Sequence, residues 1–194
     1  MNDSNRVLQL LEETGALNTG HFRLSSGLHS DRYCQCSALF EHPMAAAEVA
    51  KLAAARILKA GISADVVLAP ALGGILWGYE LARALGIRSI FAERDTDGRF
   101  ALRRGFHLRA TDRVLLAEDV VTTGKSVMET MPLVEQAKAT VVGFCAVADR
   151  SKGAFNPPAP FHALVQLDFR TWKEDEIPAW LAEIPVRKPG SRPG

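Results

Sequence analysis

The chain has 194 residues, with 23 Lys and Arg against 22 Asp and Glu and a formal charge of +1. Its 47% hydrophobic and 23% charged residues match an average globular domain, which excludes disordered and fibrous classes. A chain of this size buries about 70% of its unfolded surface, enough for a core without metal or disulfide staples. The near-zero charge gives no general reason to bind nucleic acid or an anionic membrane.

Ser4 can cap a first helix carrying Val7, Leu8 and Leu11, which Gly15 can end. Asn18 to Ser37 is polar and turn-rich, and holds Arg23, Ser25, Ser26, Gly27, His29, Asp31 and Arg32. Pro43 opens an alanine-rich helix that runs to Ala60 and stops at Gly61. Strands are predicted over Ala64–Ala69, Arg88–Ala92, Arg113–Ala117, Thr140–Ala148 and Phe161–Leu167. Helices are predicted over Gly74–Leu85 and from near Gly124 to Ala137, with Pro132 a kink or break. Short apolar strands separated by helices indicate βαβ units in an α/β fold, a parallel sheet with ligands at its C-terminal edge. The tail, Pro185–Gly194, reads as a loose terminus, and one domain over 1–194 is the economical reading.

Cys34, Cys36 and Cys145 form neither a disulfide framework nor a zinc knuckle, and read as inert thiols in a reducing compartment. Met1–Glu13 has charges inside its apolar stretch, unlike a signal peptide. No window approaches about 18 consecutive apolar residues, so no transmembrane helix is expected. A cytoplasmic protein is expected.

The chemistry is concentrated in Arg113–Ser126, RVLLAEDVVTTGKS. An apolar run ends in Glu118 and Asp119, and a loop of Thr122, Thr123, Gly124, Lys125 and Ser126 leads into a helix. Carboxylates at a strand end can accept hydrogen bonds from ligand hydroxyls or hold water around a divalent cation. Small residues let backbone N–H groups close on a phosphate, aided by a helix N-terminus. The combination points to a ligand with a sugar diol at one end and a phosphate at the other. A Walker A loop ending in Gly124-Lys125-Ser126 would need Gly where Asp119 stands. No G-x-G-x-x-G occurs either. An ordinary strand–turn–helix with a solvated acidic pair is the plainer alternative, weakened by the attached Thr-Thr-Gly-Lys-Ser loop.

Strand, two acids, two apolar residues and Thr-Thr-Gly-Lys-Ser together resemble the phosphoribosyl-pyrophosphate signature of type I phosphoribosyltransferases. GHFRLSSGLHSDRYCQCS (Gly20–Ser37) resembles the N-terminal segment of orotate phosphoribosyltransferases, PALGG (Pro70–Gly74) their pyrophosphate loop, and ADR (Ala148–Arg150) the place of their orotate-binding Arg. With KPGSR (Lys188–Arg192) the resemblance spans nearly the whole chain. It implies the type I phosphoribosyltransferase fold, with a central parallel sheet flanked by helices. A small hood would come from residues 1–40, with 160–194 forming hood and tail, beside a flexible catalytic loop. It also implies transfer of ribose 5-phosphate from phosphoribosyl pyrophosphate to orotate in pyrimidine (UMP) biosynthesis, with Mg²⁺ required. A purine or other base as acceptor, or a non-catalytic regulator that binds the donor, is the alternative.

By the same resemblance Arg94 and Asp119 are catalytic. The donor is held by Arg94, Glu118, Asp119, Val120, Val121, Thr122, Thr123, Gly124, Lys125 and Ser126, and orotate by Thr122 and Arg150. Mg²⁺ has no direct protein ligand: the substrate holds it, with water linking it to Glu118 and Asp119. The charged segment 94–107, with Arg94, Arg99, Arg103, Arg104 and His107, would reach the neighbouring site of a homodimer, although such a loop is often merely solvated. Ser25 and Gly73 stand where the enterobacterial pattern has lysines, and Asp95 follows Arg94 where it has another. The loop arginines are candidates to replace them. Arg32 or Tyr33 could line the base pocket, whereas His21, His42 and His162 read as structural or surface residues.

Overall fold

The computed structural model describes residues 2–24 and 26–188. In chain order the elements are α1 (Asp3–Glu13), β1 (Leu17–Arg23), β2 (His29–Cys34), α2 (Ser37–Phe40), α3 (Pro43–Lys59), β3 (Val66–Pro70), α4 (Gly74–Leu85), β4 (Arg88–Arg94) and β5 (Phe100–Leu102). There follow β6 (Arg113–Val121), α5 (Lys125–Met128), α6 (Met131–Gln136), β7 (Thr140–Asp149), β8 (Phe161–Gln166), β9 (Thr171–Trp172), α7 (Ala179–Ala182) and β10 (Val186–Arg187).

Six strands form the main sheet in the order β5-β4-β3-β6-β7-β8, parallel except for the edge strand β5. Its central strands are apolar on both faces, as a doubly covered parallel sheet requires. The two-residue alternation divides them cleanly. Val67, Ala69, Leu115, Ala117, Cys145 and Val147 share one cluster with α1, α3 and α4. Val66, Leu68, Val114, Leu116 and Phe144 join Val127 and Val134 of α5 and α6 on the other face. Glycine lets α4 approach closely: a Cβ on Gly78 would lie 2.8 Å from the Ala69 Cβ. The indole of Trp77, wholly buried, donates to the Cys145 carbonyl at 3.4 Å.

Several local expectations are corrected. Asn2, not Ser4, caps α1, its side chain accepting from the Ser4 N–H at 2.8 Å. The Ser4 hydroxyl is already inside the first turn and donates to the Leu164 carbonyl of β8 instead. The polar stretch after Asn18 contains two antiparallel strands, β1 and β2. They form a second sheet, β10-β1-β2-β9, that draws strands from both ends of the chain. The end segments are thereby divided: β8 belongs to the main sheet, whereas Val186 and Arg187 of the expected loose tail pair with His21 and Phe22. The segment expected as a helix over 124–137 forms two short helices, and of the kink or break expected at Pro132 it is the break that occurs, at Glu129 and Thr130, with Pro132 in the first turn of the second helix. Ser25 and the KPGSR end beyond Lys188 lie outside the described residues.

Candidate active site

β6 continues to Val121, four residues beyond its predicted end, so Glu118 and Asp119 lie within the strand and not after it. The extension follows from unequal neighbours. Pairing with β3 stops at Leu68–Leu116, but pairing with β7 continues through Glu118–Ala146 to Val121–Asp149. The acids therefore sit at an opening in the sheet edge where β3 has turned away. The Asp119 carboxylate accepts from the Val120 N–H at 2.9 Å. On its other side is the PALGG loop: a Cβ on Gly73 would stand 3.2 Å from Asp119 Oδ1. Gly73, read from sequence only as a missing lysine, thus leaves room for this carboxylate.

Both acids are held toward their neutral forms. Burial, then the charge of Asp119, pushes the Glu118 carboxyl up to about 8, and burial also raises Asp119. Glu118 therefore favours its protonated form at neutral pH.

Past Val121 the chain turns at Thr122, Thr123 and Gly124. Among the described hydrogen bonds none takes up the backbone N–H of these three residues, and the Thr123 hydroxyl accepts from the Lys125 N–H at 3.3 Å. Gly124 has φ +72° and packs under the Phe155 ring. Successive free N–H groups in such a turn form an anion-binding concavity. Because α5 is a single turn, the N–H groups carry this cradle and a long helix dipole does not. The Lys125 ammonium faces Glu129 at 3.8 Å. Ser126 opens α5 behind the turn, and Val120 and Val121 carry the strand into it.

Arg150 follows β7 immediately, and its N–H donates to the Val121 carbonyl at 2.7 Å. This bond places the arginine beside the cradle. Its guanidinium lies 4.7 Å over the Phe169 ring. Cys34 and Cys36 occupy the same junction, within the electrostatic reach of Arg150 and Asp119, and Cys36 Sγ lies 4.0 Å from the Asp119 carbonyl oxygen. The structure thus brings together Glu118, Asp119, Val120, Val121, Thr122, Thr123, Gly124, Ser126 and Arg150. Of the residues missed from sequence, Phe155 and Phe169 carried no motif, being apolar residues in connecting segments.

Arg94 is placed differently. It donates to the Gly98 carbonyl and to Glu129 Oε2, each at 2.6 Å, and lies 4.2 Å over the Phe100 ring. None of these partners belongs to the acid pair or to the Thr122–Ser126 turn. The segment 94–107 is largely a hairpin: β5 pairs back on β4, and Asp95 Oδ1 accepts from the N–H groups of Asp97 and Arg99. Arg99 pairs with Asp97, and Arg104 pairs with Glu93 through two hydrogen bonds. Arg94 and two further cations of the segment, Arg99 and Arg104, are thus engaged within the chain. Arg32 is exposed, and the Tyr33 ring packs 5.7 Å from Phe22. His21 is structural: Nε2 lies 2.6 Å from His29 Nδ1, and Nδ1 lies 3.1 Å from the Ile184 carbonyl.

Residues 35–182 match the phosphoribosyl transferase domain family. Over 190 residues, 98% of either chain, the sequence is 43% identical to the orotate phosphoribosyltransferase of Caldanaerobacter subterraneus subsp. tengcongensis. The chain accordingly belongs to the phosphoribosyltransferase family, in its orotate branch. Its fold is similar to that of the orotate phosphoribosyltransferase from Aeropyrum pernix (TM-score 0.68, 22% identity, 83% of this chain and 93% of that one). It is also similar to an adenine phosphoribosyltransferase from Thermoanaerobacter pseudethanolicus (TM-score 0.59, 16% identity, 70% and 88%). The fold alone therefore does not select the base; the near-full-length sequence identity defines the branch.

Proposed function

We propose that the chain transfers the 5-phosphoribosyl group from phosphoribosyl pyrophosphate to orotate, giving orotidine 5′-monophosphate and pyrophosphate in the synthesis of UMP. The observation that carries this reading is the meeting of three elements at one sheet edge: a carboxylate pair, a turn with free N–H groups, and an arginine hydrogen-bonded to the strand between them.

The turn at Thr122–Gly124 receives the 5′-phosphate, and Glu118 and Asp119 take the two ribose hydroxyls. Positive charge develops on the ribose as pyrophosphate leaves, and ionised carboxylates close to it favour that charge. Glu118 must then give up its proton when the donor binds. Arg150 offers a planar fork to the orotate carboxylate, so that the base meets C1 in a fixed orientation. Thr122 lies between the two subsites.

The residues fit Mg²⁺ in one respect: two carboxylates supply hard oxygen donors. Among the described residues no group of three or more His, Cys, Asp or Glu could form a protein cage, so the cation would arrive with the donor and touch Glu118 and Asp119 through water. Bound there, it would neutralise charge on the leaving pyrophosphate.

A homodimer is part of this proposal. Leu72, in the turn just before α4, and Leu76 and Tyr79 on α4 are 83%, 53% and 57% exposed, an apolar patch suited to a second copy. The hairpin over 94–107 then serves the neighbouring site, with Arg94 exchanging Glu129 for pyrophosphate. A reducing cytoplasm suits the three free, buried thiols, and no described helix is long and apolar enough to cross a membrane.

The test is the absorbance change of orotate with purified protein, phosphoribosyl pyrophosphate and Mg²⁺, beside adenine, guanine and hypoxanthine. Turnover confined to orotate is expected. Turnover of a purine instead would reassign the base, and donor binding without turnover of any base would make the chain a sensor.

A further inference from the structure

Arg150 differs from the other cations around the site. Arg94, Arg99 and Arg104 are each spent on a carboxylate of the chain, whereas among the described residues no hydrogen bond or ion pair takes up the Arg150 guanidinium. Its one described side-chain contact is the face of Phe169. A guanidinium on an aromatic face keeps its in-plane N–H groups available while its position is fixed by cation–π attraction.

Phe169 is itself held on both sides. It is 4% exposed. Two residues before it, the Leu167 N–H donates to the Asp149 carbonyl at 2.8 Å, next to Arg150 in the chain. One residue after it, the Arg170 carbonyl accepts from the hydroxyl of Ser30, which is completely buried in β2. The ring is thereby tied to the end of β7 and to the second sheet together.

We infer that Phe169 is the positioning residue for Arg150, and that the Phe169–Arg150 stack sets the preference of the base site for a ring carrying a carboxylate. This rests on the reading of Arg150 as the carboxylate's partner. Phe169 touches no reacting atom. It removes the rotamer freedom that Arg150 would otherwise lose on binding the base, and leaves the planar fork unneutralised and free for two parallel hydrogen bonds. A base without a carboxylate gains nothing from this arrangement.

Four variants test it: Arg150→Ala, Phe169→Leu, Phe169→Met and Phe169→Tyr, each read by KM for orotate, KM for the donor, kcat, and competition by uracil, which is the same ring without the carboxylate. Arg150→Ala should raise the orotate KM at least 100-fold. Phe169→Leu and Phe169→Met should raise it about tenfold, the scale of a desolvated cation–π contact, with donor KM, kcat and uracil competition within about twofold. Phe169→Tyr, which keeps the aromatic face, should stay within about twofold throughout. If Leu lowers the unfolding midpoint, the Met variant of similar volume decides. An unchanged orotate KM in the folded Leu or Met variant, with Arg150→Ala still impaired, overturns the inference and leaves the base reading intact. Orotate and donor KM rising together would reduce Phe169 to general packing and equally overturn it. An unchanged orotate KM in Arg150→Ala would remove the base reading itself.

Discussion

At Gly124 the backbone turns through φ +72°, and a Cβ there would overlap the Phe155 ring. A side chain in this conformation costs about 1–2 kcal/mol before any clash. Gly124→Ala should therefore lower the unfolding midpoint by several degrees and raise the donor KM at least tenfold, measured by thermal unfolding and initial rates. Glu118 gives a pH signature. Its carboxyl lies at about 8 in the folded chain against an ordinary 4.5, raised first by burial and then by Asp119. Between those values the folded state binds more protons than the unfolded one, so stability falls as pH rises across the window. Wild type should be more stable at pH 5.5 than at pH 8, and Glu118→Gln should flatten that difference in denaturant titrations at the two pH values. The acids and the turn were legible in the sequence because hydroxyl, carboxyl and glycine side chains announce their chemistry. Gly73 was not, since the reason for its missing side chain is a carboxylate on a distant strand.

The elements were legible where hydrophobic periodicity was undisturbed. α3 and α4 and the five main strands stand within a few residues of expectation. β1 and β2 were missed because their inward positions include polar groups: His21 and His29 are 5% exposed, with His21 Nε2 2.6 Å from His29 Nδ1, and a bulge between Thr19 and Phe22 shifts the alternation. The segment 94–107 read as a loop because β5 is a three-residue edge strand, too short to show a period. Two predictions belong at this scale. Gly78→Val would force α4 away from Ala69 and should cost about 1–3 kcal/mol by overpacking, read in urea titrations. Glu129 draws Arg94 and Lys125 toward one carboxylate. Releasing both with Glu129→Gln should lower the donor KM about two- to fivefold, the range of exposed ion pairs, with the effect shrinking as salt is added.

For the whole molecule, the site depends on contributions from far apart in the chain. The second sheet joins β1 and β2 to β9 and β10, and the Ser30–Arg170 bond fixes that sheet to the segment carrying Phe169. The exposed patch at α4 starts in the same PALGG loop that borders Asp119, so a second copy seated there would also order the site. If the proposed dimer forms across this face, Leu76→Asp should make the chain monomeric in light scattering and lower orotate turnover at least tenfold, while far-ultraviolet dichroism stays unchanged. A monomeric wild type of full activity would remove the dimer from the mechanism.

The sequence by itself determined the α/β class, the strand carrying the acids, the phosphate-type turn and the arginine after β7. Each of these is a local pattern of side-chain chemistry and period that a contiguous stretch can display. Tertiary structure alone decided how far β6 extends, which cations remain unpaired and which aromatic ring supports Arg150. Those outcomes depend on partners that are distant in sequence: β7 continuing where β3 ends, Glu129 and Glu93 reaching Arg94 and Arg104, and Phe169 arriving beside Arg150 through bonds to Asp149 and Ser30. A charge can be read from the sequence, but whether it is neutralised depends on what the fold places beside it.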